Sequence, residues 1–381
     1  MNTIETIQLE TTQREFTAGE SIILTFSGTQ DASIKLYCSN SYGTTLVNSN
    51  LKNGSLQYKL PTQICAKIGV VTWKLLDKTN ALSGTIKIHP QTTPVAMETY
   101  VGPPSIEAGD KDYTMLVVIP TDALDNPVKE NTEVAVKRQF LAAEQQEIIP
   151  TKNLIAYQRL YAPSKSGRML LATECLGLNS KEYTVEVMPA ISTNFEIFAK
   201  RPHAYADGNQ ITTFTTSVLK DQNNNIVSDG SYVEFFITNT DGNLLKTSGM
   251  TIDGVATAKM IHPDHAETWN VKAYVTGISE SNSISVSYTQ VIEDFTVVFS
   301  KNNRNIEVGP LRSFMKQRIP DGLQVKLSIS QKGKTLKEYI KESRDGFVNF
   351  ELNPSIFSNG NYTLEITTAG ITKTFQTKKL W

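Results

Sequence analysis

Across 381 residues there are only three cysteines, Cys38, Cys65 and Cys175, which excludes a fold stapled by disulfides. Cys175 stands well apart, a Cys38–Cys65 bridge within the first part of the chain stays open, and the plainer expectation is three small buried hydrophobes. An excess of one charge is also missing. With 37 basic against 38 acidic side chains there is no basic face to gather phosphates, so nucleic acid is not expected as a partner. The longest apolar run, residues 115–119, is far too short to span a bilayer, and no membrane insertion is expected. The opening ten residues lack a basic stretch followed by an apolar one, so the sequence as given carries no signal peptide. Two expectations follow: a protein used without general secretion, as a phage structural protein is, or one whose export signal has been removed.

Helical patterning is nearly absent, residues 141–148 being the one weak candidate, in an inter-strand position. Signatures of catalysis are absent as well. There is no G-x-S-x-G elbow, no P-loop or dinucleotide fingerprint, and no cysteine with a local histidine; the carboxylates scatter over turns. The expectation is a non-enzymatic chain with no catalytic residue, no cofactor and no metal.

What the chain does have is internal repetition, which decides fold class before any single motif can. Asp229-Gly230, Val233, Phe235, Ile237, Leu244 and Asp253-Gly254 recur as Asp321-Gly322, Val325, Leu327, Ile329, Leu336 and Asp345-Gly346, every pair 92 positions apart. Pro104, Ala108 and Thr114 match Pro202, Ala206 and Thr212, and the run from Asp122 to Val128 matches that from Asp221 to Val227 after one inserted residue. A more diverged first copy places Ile34, Leu36, Gly43 and Leu46 opposite Val233, Phe235, Gly242 and Leu245, with Asn53-Gly54 opposite Asp253-Gly254. Domains are therefore expected at 1–94, 95–191, 192–291 and 292–381, with linkers near 92–98, 189–194 and 289–295.

Each copy has the size of an immunoglobulin-type sandwich. Val325, Leu327 and Ile329 alternate with Lys326, Ser328 and Ser330, the period of a strand with one buried and one wet face. Asp-Gly, Asn-Gly and Asn-Asn-Asn clusters between such runs read as turns. Trp73, Tyr183, Trp269 and Tyr362 fall late in their copies and are expected to plug the core between two sheets.

The third copy carries a specific resemblance. Ala206-Asp207-Gly208-Asn209-Gln210-Ile211-Thr212, the run from Asp221 to Val227, and Asp253-Gly254-Val255-Ala256-Thr257 resemble the bacterial immunoglobulin-like repeats of the invasin and intimin type, called Big-1-like. That pattern is approximately A-D-G-x-x-x-x-T, D-x-N-G-N-P-V, D-G-x-A-T; here Asn224 replaces its glycine and Ile226 its proline. The fourth copy, with Asp345-Gly346-Phe347-Val348 and Gly360-Asn361-Tyr362-Thr363-Leu364, is similar to macroglobulin-like domains as well. Both resemblances imply an all-β chain of tandem immunoglobulin-like β-sandwich domains in an elongated array. They also imply display: a structural or adhesive protein on a virion surface or in the bacterial cell envelope, meeting a protein partner or a surface glycan. Two alternatives stand beside it. An interaction subunit of a secretion or motility complex would show large apolar patches on more than one domain, and a carbohydrate-binding accessory chain would show a face of stacked Trp or Tyr.

Among individual residues, His262-Pro263-Asp264-His265 brings two histidines together but has the spacing of a polar surface turn. The run from Asp221 to Asn225 opens like an EF-hand loop, then has Ile226 and Tyr232 where that loop needs glycine and glutamate, so it reads as a strand connection. From residue 291 onward there are 14 Lys or Arg and nine Asp or Glu, a net of +5, leaving −6 for the remainder of the −1 total. Lys301, Arg304, Arg312, Lys316 and Arg318 are the candidates for docking on an acidic surface. Phe236 sits on the wet phase of the strand 233–237, where it forms part of a binding face, lies under a neighbouring domain or is covered by a loop of its own domain. Trp381 is expected to be the last core residue.

Overall fold

Alternation of buried and exposed side chains sets the architecture of the computed structural model, which describes residues 6–78, 82–313 and 315–381. In the strand Gln324–Gln331, Val325, Leu327 and Ile329 are fully buried while Gln324 faces water. The strand Tyr113–Thr121 repeats the pattern with Thr114, Leu116 and Val118 inward. Strands take 58% of the residues and helix 1%, confined among the described residues to the turn Thr62–Cys65. The chain is an all-β array of tandem β-sandwich domains, as its residue pattern predicts.

Two compact units divide the chain, residues 1–188 and 189–381. In the first, one sheet holds Gln8–Leu9, Ile23–Ser27, Ser55–Lys59 and Asn50–Lys52, and faces a five-stranded sheet running from Glu15–Thr17 to Gly43–Asn48. The second sandwich of that unit pairs Ala96–Gly102, Tyr113–Thr121 and Ala156–Tyr161 against a sheet built on Tyr183–Met188, Gly167–Cys175, Glu133–Phe140 and Ala143–Pro150. In the second unit, Leu244–Ile252 pairs first with Tyr232–Thr238 and then with Val255–Ile261, so one strand passes between the two sheets. The last sandwich sets Val297–Ser300, Asn305–Val308 and Val348–Glu351 against a four-stranded sheet ending in Ile371–Leu380. Each sandwich has its own hydrophobic cluster, centred on residues such as Phe26, Leu116, Phe235 and Leu327.

The repeated turn signals fold alike. Asn53-Gly54, Asp253-Gly254 and Asp345-Gly346 each place two successive residues at positive φ, the backbone of a tight hairpin turn that favours Asn or Asp followed by Gly. A second repeated turn ties the sandwiches in. Asp122 Oδ1 accepts the N–H groups of Leu124 (2.8 Å) and Asn126 (2.9 Å), and Asp221 Oδ1 those of Asn223 (2.8 Å) and Asn225 (2.9 Å). The other oxygen of each reaches back to the chain entering the sandwich, Asp122 to Gln91 N–H at 3.0 Å and Asp221 to Ala190 N–H at 2.9 Å. Burial works to raise both carboxyl pKa values, but the converging N–H donors outweigh it and leave them lowered.

Several expectations are corrected. Residues 141–148 form no helix: Leu141, at φ 54°, turns a hairpin between Glu133–Phe140 and the edge strand Ala143–Pro150. Leu141 and Ile148 both face water, so the stretch buries no apolar stripe. Trp73, Trp269 and Tyr362 are core residues, whereas Tyr183 is half-buried at the rim, its hydroxyl donating to Thr99 O at 2.9 Å. Trp381 is 57% exposed, beneath the Lys379 ammonium at 4.6 Å, and Leu380 is the last core residue. No bridge joins Cys38 to Cys65; all three thiols are free and buried, and desolvation pushes Cys38 up to about 12.

Native protein should therefore react negligibly with Ellman's reagent at pH 8 and yield three thiols per chain in guanidinium; fast labelling of any native cysteine would contradict this burial. Replacing Asp221 with Ala should cost about 2–3 kcal/mol in urea unfolding, since several buried N–H groups lose their acceptor together. Because the Asp221 carboxyl is lowered in the fold, its contribution is complete above the unfolded value near 3.8 and is lost as pH falls through the folded value.

Candidate functional site

The five basic candidates do not form one patch. Lys301 lies in the turn that joins Val297–Ser300 to Asn305–Val308, and is exposed. Arg304 is buried: its guanidinium donates to Trp381 O (3.1 Å), Phe357 O (2.9 Å) and Asn359 Oδ1 (2.9 Å), which makes it a structural residue and removes it from any docking surface. Arg312, Lys316 and Arg318 are exposed together on a loop beyond the opposite end of Asn305–Val308, closed by Ser313 N–H to Gln317 O at 2.9 Å. Phe236 is half-buried. Its ring meets Tyr274 edge-on at 5.6 Å, and its cross-strand neighbours are Lys246 and Lys272.

Between the last two sandwiches, both in the second unit, His262 is not in a polar surface turn. It is 3% exposed, drawn inward because the Ile211–Thr216 and Val255–Ile261 pair ends beneath the aromatic ring of Tyr288, 4.9 Å from the imidazole. His265, by contrast, is solvent-facing and 2.7 Å from Asp264. The groups that converge are His203, Asp207 and His262, whose ligand atoms lie within 4.8 Å of one another. Some of their polar atoms are committed to the backbone, while His262 Nε2 is buried without a hydrogen-bond partner. His262 Nδ1 is 2.9 Å from Tyr205 O, His203 Nδ1 accepts the Tyr205 N–H at 3.2 Å, and Asp207 Oδ1 accepts the N–H groups of Asn209 and Gln210, each at 3.1 Å. The Tyr205 N–H and carbonyl tie His203 and His262 together through their Nδ1 atoms, a hydrogen-bonded corner of the third sandwich. Beside it a cavity of about 180 Å³ is lined by Tyr205, Val291, Ile319, Pro320, Leu323 and Arg318.

A third surface escaped the sequence reading. On the outer face of the sheet Ala96–Gly102, Tyr113–Thr121 and Ala156–Tyr161, Tyr100 stands in register with Val117, and Val117 with Tyr157. One row along, Gly102, Met115 and Arg159 align, followed by Tyr113 and Tyr161 with ring centroids 5.5 Å apart. Tyr100 and Tyr157 are 57% and 58% exposed, Tyr161 nearly as much, while Val117 is half-buried between them. The matching face of the third sandwich has Phe198 as its one aromatic, with the exposed Ile211 and Ile261 beside Thr213, Thr215, Thr257, Lys200 and Lys259. That of the fourth carries Val298, Glu307, Asn349 and Glu351. The signal was present, as aromatics on the wet phase of three strands, but only pairing shows that the three strands are neighbours.

Burial lowers the pKa of His262 from its ordinary 6.5, while the hydrogen bond that His265 donates to the Asp264 carboxylate raises that of His265, so the two oppose each other in pH-dependent stability. In a His265→Asn variant, unfolding free energy should fall as pH drops below about 6.5, where the unfolded state takes up the proton that folded His262 refuses. His262→Gln in the same background should flatten that slope in urea titrations; a slope that persists would contradict the assignment.

No protein-family model matches the chain, and no curated protein matches it. Among solved structures, invasin, a bacterial integrin-binding protein, matches with a TM-score of 0.50 and 11% identity, over 99% of this chain and 78% of its own. FdeC, an Escherichia coli adhesin, matches at 0.49 and 11% identity over 74% of this chain and 96% of its own. A Salmonella alpha-2-macroglobulin matches at 0.21 and 10% identity, over 98% of this chain and 30% of its own, too loosely to carry weight. At 11% identity the likeness to invasin is one of fold: the chain shares the tandem immunoglobulin-like sandwich that the motifs of its third repeat resemble.

Proposed function

We propose that this chain is a non-enzymatic adhesive protein, displaying its immunoglobulin-like sandwiches on the exterior of a bacterial cell or a phage particle. The observation that carries this reading is the exposed aromatic face of Tyr100, Tyr157 and Tyr161 on the three-stranded sheet of the second sandwich. Tyrosine and arginine with a little aliphatic floor are the residues over-represented at binding hot spots, and a purely structural spacer has no use for them in water. The three cysteine thiols are buried, away from any ligand at the surface. Invasin, similar in fold, is described as integrin-binding, which is a surface task of the same general kind.

Latex beads coated with the purified chain should be retained on bacterial or animal cell layers several-fold above albumin-coated beads, and soluble chain should compete. Retention no better than albumin across such layers would overturn the adhesive reading.

A further inference from the structure

Resting on that adhesive reading, we propose that the tyrosine face of the sheet Ala96–Gly102, Tyr113–Thr121 and Ala156–Tyr161 is a binding site for a neutral linear glycan. Tyr100 and Tyr157 rise on either side of the shorter Val117, one strand spacing of about 4.8 Å away on each side, so the central strand forms the floor of a shallow trough. Met115 and Ile119 continue the floor, and the Tyr113–Tyr161 pair stands at one end.

Size selects the kind of occupant. From Tyr113 to Ile119 the floor runs about 20 Å, and three strands are about 10 Å wide. That is a few hundred Å² with side-chain margins, against about 800 Å² per partner for a stable protein interface. A strip of those proportions suits a short run of pyranose rings, whose apolar C–H faces lie against aromatic side chains while their hydroxyls reach the rim. Charge narrows it further. Glu98 and Arg159 are the ionisable groups among these outward positions besides the tyrosines, one of each sign, so nothing there concentrates an anion.

Hydrogen-bond polarity separates a glycan from an extended proline-rich peptide, the other ligand of aromatic grooves. The Tyr100 hydroxyl donates to Glu98 Oε2 at 2.8 Å, which leaves that pair with acceptors to offer. Arg159, stacked 5.1 Å from the Tyr113 ring, offers donors. A sugar hydroxyl serves as donor to the first and acceptor from the second, whereas proline residues have carbonyls but no N–H.

The test is affinity electrophoresis of the full chain in native gels cast with soluble β-glucan, mannan, galactomannan or xylan, with polygalacturonate as the charged control, backed by a printed glycan array. At least one neutral polymer should retard the chain. Tyr100→Ala and Tyr157→Ala should each weaken that retardation about tenfold, and Val117→Gln, which fills the floor without a charge, should do the same. Phe198→Ala, on the matching face of the third sandwich, should leave it unchanged, and circular dichroism melts should confirm that all four variants fold. No retardation and no array signal, retardation by polygalacturonate alone, or tyrosine variants that bind like wild type would each overturn the site. Beads carrying the Tyr100→Ala/Tyr157→Ala double variant separate the two levels of inference. Undiminished cell retention sinks the glycan site and leaves adhesion standing. Retention lost with the double variant, abolished by protease treatment of the cells and untouched by periodate assigns the face to a protein and overturns the glycan.

Discussion

One carboxylate, repeated at Asp122 and Asp221, fixes how the chain enters each of two sandwiches. One oxygen closes the loop between two strands, and the other takes the N–H of the chain arriving from the preceding sandwich. At the first junction the neighbouring groups deepen the lock: Asn126 bonds to Ala66 O and to the Ile68 N–H, and Lys67 donates to Leu124 O. The position 92 residues beyond Asp221 is Ser313, a side chain with no second oxygen to reach back. There the junction is made differently, by Asn209 Nδ2 donating to Asp321 O and by apolar walls around a cavity. The calcium-loop look of the run from Asp221 to Asn225 is thus the look of a clamp whose cations are backbone N–H dipoles.

A sandwich uses one face of each sheet for its core and leaves the other free, so repetition of the scaffold places no constraint on the outer positions. Those positions diverge here. One sandwich carries tyrosines, another threonine and lysine, and a third glutamate and asparagine, all on the same three-stranded sheet. Basic residues behaved less simply than a charge count suggests. Arg304 is consumed by three carbonyls and an amide near the end of the chain, while Lys301 and the loop of Arg312, Lys316 and Arg318 keep their charges in water.

Fold was legible because it is written in local patterns. Val325, Leu327 and Ile329 announce a strand, and Asp253-Gly254 and Asp345-Gly346 announce the hairpin turns that the backbone adopts. Individual side-chain placements were legible only in fragments. The strand period alone puts Phe236 on the outer phase, and His262 was misplaced because its burial depends on Tyr288 and on His203, far away along the chain.

By itself, then, the sequence determined an all-β chain of repeated sandwiches, since strand period and turn chemistry act over a few residues and survive divergence. Tertiary structure decided which residues meet: Tyr100, Val117 and Tyr157 in one row, His203 with Asp207 and His262, and Arg304 with the carbonyls near the end of the chain. The physical reason is register. Hydrogen bonding across strands brings residues tens of positions apart to within one strand spacing, and a pattern of period two says which face a side chain takes but not which strand lies beside it.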